Sequence, residues 1–386
     1  MADEVHKGLE GVVVAESELS YIDGEAGRLI YRGYEIEDLA TKASFEEVLY
    51  LLWHGELPTR DELESFTDEM ATEREIDDAV LDALADLAAA EESPMAALRT
   101  GVSLLSAYEP EDGADARDLD VALRKGRRIT AQIPTVLAAY DRLRRGEEPV
   151  APREDLGLAA NFLYMLTAEE SDEVAAETFD QALILHADHG LNASTFTSMV
   201  VASTLADVYS SVTAGIGALS GPLHGGANQD VMEMLVEIDE SELGPVEWVE
   251  KAMDEREDWR VPGWGHRVYQ VKDPRAKILG ERSRELGESS GDEKWYDYAS
   301  ALEEYLGEEL GLPEKGIAPN VDFYSGSVYY QLGIPVDMYT AIFAMSRAGG
   351  WLGHVLEYRA DNRLIRPRAH YTGPMEAEWV PIDERA

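Results

Sequence analysis

With 386 residues, 45% of them hydrophobic, the chain has room for a sizeable core in one large domain or two unequal ones, which excludes a disordered protein. It carries 77 Asp and Glu against 33 Lys and Arg, a net charge of −44, so nucleic acid and anionic membranes are poor partners. Only 8 of the cations are lysine, a composition suited to concentrated salt, and the absence of cysteine excludes disulfides, thiolate metal sites and a cysteine nucleophile.

The N-terminus, MADEVHKGLEG, lacks the basic and apolar regions of a secretory signal, so a cytoplasmic protein is expected. LSYIDGEAGRLIYRG (19–33) predicts a short β-hairpin about a glycine-containing turn. SFEEVLYLLWHGELPT reads as a helix with Ser44 as N-cap, Glu47 completing a capping box, and Gly55 and Pro58 as the stop. Thr59 and Glu62 repeat the device, and Ser93-Pro94 opens a further helix. DEVAAETFDQALILHADH, NQDVMEMLVEI and DMYTAIFAMSRAGGWLGHVLEYRAD carry apolar residues at helical spacing. The nearly uncharged stretch Ser194 to Leu223 is too polar to span a membrane and reads as closely packed helices. Loops are expected near 109–118, 144–154 and 286–294, and no repeat is present. The class is all-α with a small N-terminal hairpin.

Chemistry collects around histidines. Four of the eight lie in HADHGLN (His186, His189), GPLHGGAN (His224) and PGWGHRVY (His266), the last two pressed between glycine and proline. A fourth glycine-bearing segment, PNVDFYSG, adds a carboxylate at Asp322. Residues 259–280 hold five cations (Arg260, Arg267, Lys272, Arg275, Lys277) against Asp273, and 347–370 hold five arginines against Glu357 and Asp361. Positive islands of +4 and +3 in so acidic a chain point to an anion site, since the arginine fork suits carboxylate and phosphate. No GxxxxGK[ST] occurs, and GIGALSG follows a helical pattern rather than a strand. HADH offers two histidines but no nearby acidic third ligand, so no metal is expected.

HADHGLNAST, GPLHGGAN, PGWGHRVYQVKDPRA, APNVDFYSG, the SRAGG run and LIRPRAHYTG stand in an order and spacing that resemble citrate synthase of the shorter archaeal and bacterial form. The resemblance runs from YRGYEIEDLA to the RPR segment. It implies an all-α fold of two domains, with a large helical domain (1–221 and 328–386) and a smaller one inserted at 222–327. It also implies condensation of acetyl-CoA with oxaloacetate, then hydrolysis of the citryl thioester. Asp322 would be the base, His224 the donor to the thioester oxygen, and His266 the donor to the oxaloacetate ketone. Arg275, Arg347, Arg366 and His189 would hold oxaloacetate, and His186 would be structural. The backbone of Val261, Pro262, Gly263, Trp264 and Gly265 would hold CoA, with Lys272, Arg363 and Arg368 as candidates for its phosphates. Acetyl-CoA is then a substrate and no resident cofactor is implied. A homodimer is implied, with Arg366 supplied across the interface. Two alternatives stand beside this reading: a 2-methylcitrate synthase using propionyl-CoA, and a metal-dependent hydrolase using His186, His189 and His266.

Overall fold

A computed structural model describes residues 5–9, 11–110 and 116–385. Three short antiparallel strands come first, β1 (Ser20–Asp23), β2 (Arg28–Tyr31) and β3 (Tyr34–Glu35), in the order β1-β2-β3 with Ser20 opposite Tyr31. The hairpin is therefore present, and β3 extends it. Helices follow: α1 (Ile36–Lys42), α2 (Phe45–His54), α3 (Arg60–Thr72), α4 (Asp78–Ala89), α5 (Pro94–Leu105), α6 (Leu119–Arg144), α7 (Leu158–Thr167) and α8 (Glu173–His186). After them come α9 (Ala193–Ser203), α10 (Val208–Leu219), α11 (Ala227–Glu240), α12 (Pro245–Glu255), α13 (Pro274–Ser290), α14 (Lys294–Glu304), α15 (Asp322–Gln331) and α16 (Tyr339–Ala360).

The local signals act as their chemistry requires. Ser44 accepts from the Glu47 N–H at 3.2 Å, although only this half of the expected box is made. Thr59 and Glu62 form the full reciprocal box, and Ser93 caps α5 with Pro94 in its first turn. The loop expected at 286–294 is a correction: α13 continues through Ser290 and stops only at left-handed Gly291. Its Gly-Glu-Ser-Ser end read as a loop, yet Leu286 and Gly287 are buried and hold the helix in register. Of the loop expected at 109–118, residues 111–115 lie outside the described residues.

Helices α5, α6, α9, α10 and α16 pack together, and α11 to α15 pack among themselves at the other end of the chain order. The small residues of 194–223 serve close helix contact, as expected. A Cβ added at Gly215 would stand 2.4 Å from Ser198 Oγ and 2.9 Å from the Trp351 ring. Among the described residues no helix is long and apolar enough to cross a membrane. The N-terminal sheet braces two later loops: Gln270 N–H donates to Gly24 O (2.9 Å), and Ser20 and Tyr31 bond the loop after α8.

Candidate active site

His224 stands in the turn between α10 and α11, two residues ahead of the Gly226 N-cap. A Cβ at Gly225 would meet Leu219 O at 2.4 Å and Thr340 Cγ2 at 2.9 Å, so this glycine lets the turn sit on α10 and α16. The Ser194 backbone N–H, which can only donate, points at His224 Nε2 (3.2 Å), with Ser194 Oγ at 2.8 Å. Trp351 Nε1 fixes that hydroxyl at 3.1 Å. Nε2 therefore carries the lone pair and Nδ1 carries the proton. Burial, then the charge of Arg347, pushes the His224 pKa down to about 4. The imidazole is neutral at pH 7, and the positive end of α11 favours the same state.

His266, in the loop between α12 and α13, has the opposite tautomer. Its Nδ1 accepts from the N–H groups of Val268 (3.0 Å) and Tyr269 (3.2 Å), which leaves a proton on Nε2. Burial, then Arg275, lowers its pKa to about 4. His189 follows α8, with its ring centroid 5.3 Å from that of His266. Tyr269 packs on both rings, at 5.6 and 5.1 Å, and places its hydroxyl 3.4 Å from His189 Nε2. His189 is also held well below its ordinary pKa, by burial first and then by Arg275 and His266.

Asp322 opens α15, its backbone N–H held by Asn320 Oδ1 at 2.9 Å. Its carboxylate accepts no hydrogen bond among the described residues. Burial raises its pKa to about 6, Asp273 adds to the rise, and Arg275 and Arg347 oppose it. Arg275, in the first turn of α13, is buried and grips Asp273 at 2.7 Å. Arg347, in the middle of α16, donates to His186 O at 2.7 Å, and burial lowers its pKa to about 10. Arg275 acts on His189, His266 and Asp322, and Arg347 acts on His189, His224 and Asp322. One cleft thus holds three neutral imidazoles, one carboxylate without a hydrogen-bond donor among the described residues, and two buried guanidinium groups.

The loop 261–265 is laced to the segment bearing Asp322. Gly265 N–H donates to Ala318 O, Asn320 N–H to Gly263 O, and Asn320 Nδ2 to Gly265 O, each at 2.9 Å. Trp264 bridges Pro319 and packs its ring on Phe323 at 5.9 Å. Lys272 is committed to Glu303 at 2.6 Å. Arg363, Arg366 and Arg368 lie exposed on the irregular segment past α16. His186 is fully buried and turns its Nδ1 to Ala182 O, and no three His, Asp or Glu among the described residues form a metal-ligand set. A cavity of about 1020 Å³ lies behind the His224 turn against Ser93, Arg99, Arg144 and Gly226, and neither His266 nor Asp322 lines it. Sequence reasoning missed Ser194 and Tyr269, although HADHGLNAST and PGWGHRVYQ contain them.

Fold and family together define an acyltransferase, and its candidate acid–base groups are side chains of loops and helix ends. The family model described as citrate synthase, C-terminal domain, matches residues 8–368. The chain is 63% identical over its whole length to the whole of the citrate synthase of Haloferax volcanii. It is 40% identical, over 99% of each chain, to 2-methylcitrate synthase 1 of Corynebacterium glutamicum. The solved citrate synthase of Pyrobaculum aerophilum superposes with a TM-score of 0.91 at 42% identity, covering 99% of this chain and 95% of that one. That of Thermoplasma acidophilum, in ternary complex with carboxymethyl coenzyme A and oxaloacetate, gives a TM-score of 0.90 at 34% identity, covering 99% of this chain and 100% of that one. The chain belongs to the citrate synthase family.

Proposed function

We propose that the cleft condenses acetyl-CoA with oxaloacetate to citryl-CoA and that water then hydrolyses the thioester to citrate and CoA, with the roles divided by protonation state. Asp322 takes a proton from the acetyl methyl group. His224 donates from Nδ1 to the thioester oxygen, where charge develops. His266 donates from Nε2 to the oxaloacetate ketone and protonates the alkoxide formed there. Arg275, Arg347 and His189 hold the oxaloacetate carboxylates, and the loop 261–265 receives CoA. The observation that carries this reading is the backbone N–H facing His224 Nε2 and those facing His266 Nδ1, which assign opposite tautomers and so give each neutral imidazole one outward N–H. The unit moved by closure is 222–327, and the reading needs no resident cofactor.

Acetyl-CoA is the preferred acyl donor, because the 63% identical relative is a citrate synthase whereas the 2-methylcitrate synthase stands at 40%. One extra methyl is worth about 1–3 kcal/mol in a pocket, so kcat/KM should favour acetyl-CoA over propionyl-CoA by about tenfold or more. Equal values would overturn the preference. The enzyme works in a salt-rich cytoplasm, as its charge requires, in the cycle that consumes acetyl-CoA through citrate.

It works as a homodimer. The segment past α16 exposes Leu364, Tyr371, Met375, Trp379 and Ile382, with Met375 at 87% and Trp379 at 76%, a row that solvent alone does not favour. Arg366 sits exposed within that segment and reaches the partner's oxaloacetate. Asp322→Asn and Arg366→Ala homodimers should each be nearly inactive. Dissociated and re-paired in equal amounts, half the dimers become hybrids with one intact site of two, so about a quarter of wild-type activity should return. Hybrids confirmed by mass but without recovered activity would assign Arg366 to its own subunit or to no site.

A further inference from the structure

The loop that presents His189 is pinned on both sides of that residue. Asp188, fully buried, donates its backbone N–H to Tyr31 Oη (3.1 Å), and its carbonyl accepts from the same hydroxyl (2.7 Å). One oxygen of its carboxylate accepts from Ser20 Oγ (2.5 Å) and from Gly190 N–H (3.1 Å). The other faces His354 Nε2 at 3.1 Å. Helix α16 brings Arg347, Gly350 and His354 to this loop at helical spacing, and it comes very close. A Cβ at Gly350 would stand 2.3 Å from Ala187 O and 2.8 Å from Asp188 Oδ1.

The charges are coupled as well as the shapes. Burial alone would push the Asp188 carboxyl up, but His354, Arg347 and the Ser20 hydroxyl hold it below its ordinary value, so it stays ionised. Asp188 is in turn the strongest negative influence on Arg347, which is buried without a carboxylate hydrogen-bond partner among the described residues. A buried guanidinium in that position depends on a nearby counter-charge.

We propose that Asp188 is a positioning residue for the oxaloacetate end of the site: it fixes the loop bearing His189 and supplies the buried counter-charge of Arg347. It touches no reacting atom and acts through those two residues. The inference rests on the assignment of His189 and Arg347 to oxaloacetate.

The test is calorimetric titration of the full-length enzyme with oxaloacetate alone, beside steady-state kinetics. Asp188→Asn keeps the shape and removes the charge. Its Kd for oxaloacetate should rise by about tenfold or more, with the KM for acetyl-CoA at saturating oxaloacetate within about twofold of wild type. A residue with a merely structural role would lower the melting temperature and the fraction of active enzyme, and leave the Kd of the folded remainder unchanged. An unchanged Kd overturns the proposal. Should Asp188→Asn fail to fold, Ser20→Ala removes one donor at the edge of the network, and about a threefold weaker Kd is expected; an unchanged Kd there has the same force. Arg347→Lys separates the two claims. If it binds oxaloacetate like wild type, the assignment of this end of the cleft fails, whatever Asp188 does.

Discussion

Asp322→Asn should lower kcat by about 10³–10⁴-fold while oxaloacetate still binds, because the change removes the proposed base and leaves Arg275 and Arg347 in place. The pH behaviour gives a second measurement. In wild type the base must be ionised, so kcat/KM should hold above pH 6 and fall about tenfold per pH unit below it. The same group costs stability. Its folded-state pKa, about 6, lies above the ordinary 3.8, so the native state holds the proton more tightly and loses stability as pH rises between those values. The cost at neutral pH is at most about 3 kcal/mol, less what the partly open cleft screens. The Asn variant should therefore melt higher than wild type at pH 8, and the gain should vanish by pH 4. A variant that keeps wild-type kcat, or that melts lower at pH 8, would remove Asp322 from this role.

Dilution from molar KCl to about 0.1 M should inactivate the enzyme, through loss of the fold or of the proposed dimer. The Debye length grows from about 3 Å to about 10 Å over that range. With 77 carboxylates and 33 Lys and Arg, one-to-one pairing still leaves 77 − 33 = 44 carboxylates without a basic side chain. Much of the pairing is also already spent: Arg127 joins Glu69 and Glu73, Arg128 joins Glu73 and Glu109, and Arg144 joins Asp141 and Asp337. Exposed pairs contribute only about 0–1 kcal/mol each, too little to offset repulsion across the whole surface. Oxaloacetate or CoA should protect by binding the native state. Activity and melting temperature that stay constant from molar salt to 0.1 M would show that the acidic surface is no salt adaptation.

Much of the site was legible because its chemistry is written in contiguous runs. GPLHGGAN holds both the candidate imidazole and the glycine that seats it, and NQDVMEM does begin the helix whose positive end favours a neutral ring. The tautomers were not legible. They depend on Ser194, thirty residues before His224, and on backbone N–H groups that any residue supplies. Tyr269 reads as an ordinary apolar position until the fold turns it between two histidines. β3 has two residues and no period to detect, and the end of α13 looks like a loop until Leu286 and Gly287 are seen to be buried. Arg366 was recognised by its motif alone, and it lies exposed past α16.

The bracing sheet also sets an order of assembly. Ser20 bonds a residue 168 positions later, and Glu18 N–H bonds Glu357, 339 positions later. During synthesis at about 5–20 residues per second, the first strand exists for roughly 20–70 s before the last of these partners emerges. Such long-range closure is slow in refolding too. Until α16 arrives, the edge of β1 and the loop of His189 remain unfinished, and a nascent strand edge invites pairing with a neighbour. The newborn chain thus carries the support for its substrate loop from the start, yet has no working cleft until nearly the last helix is made.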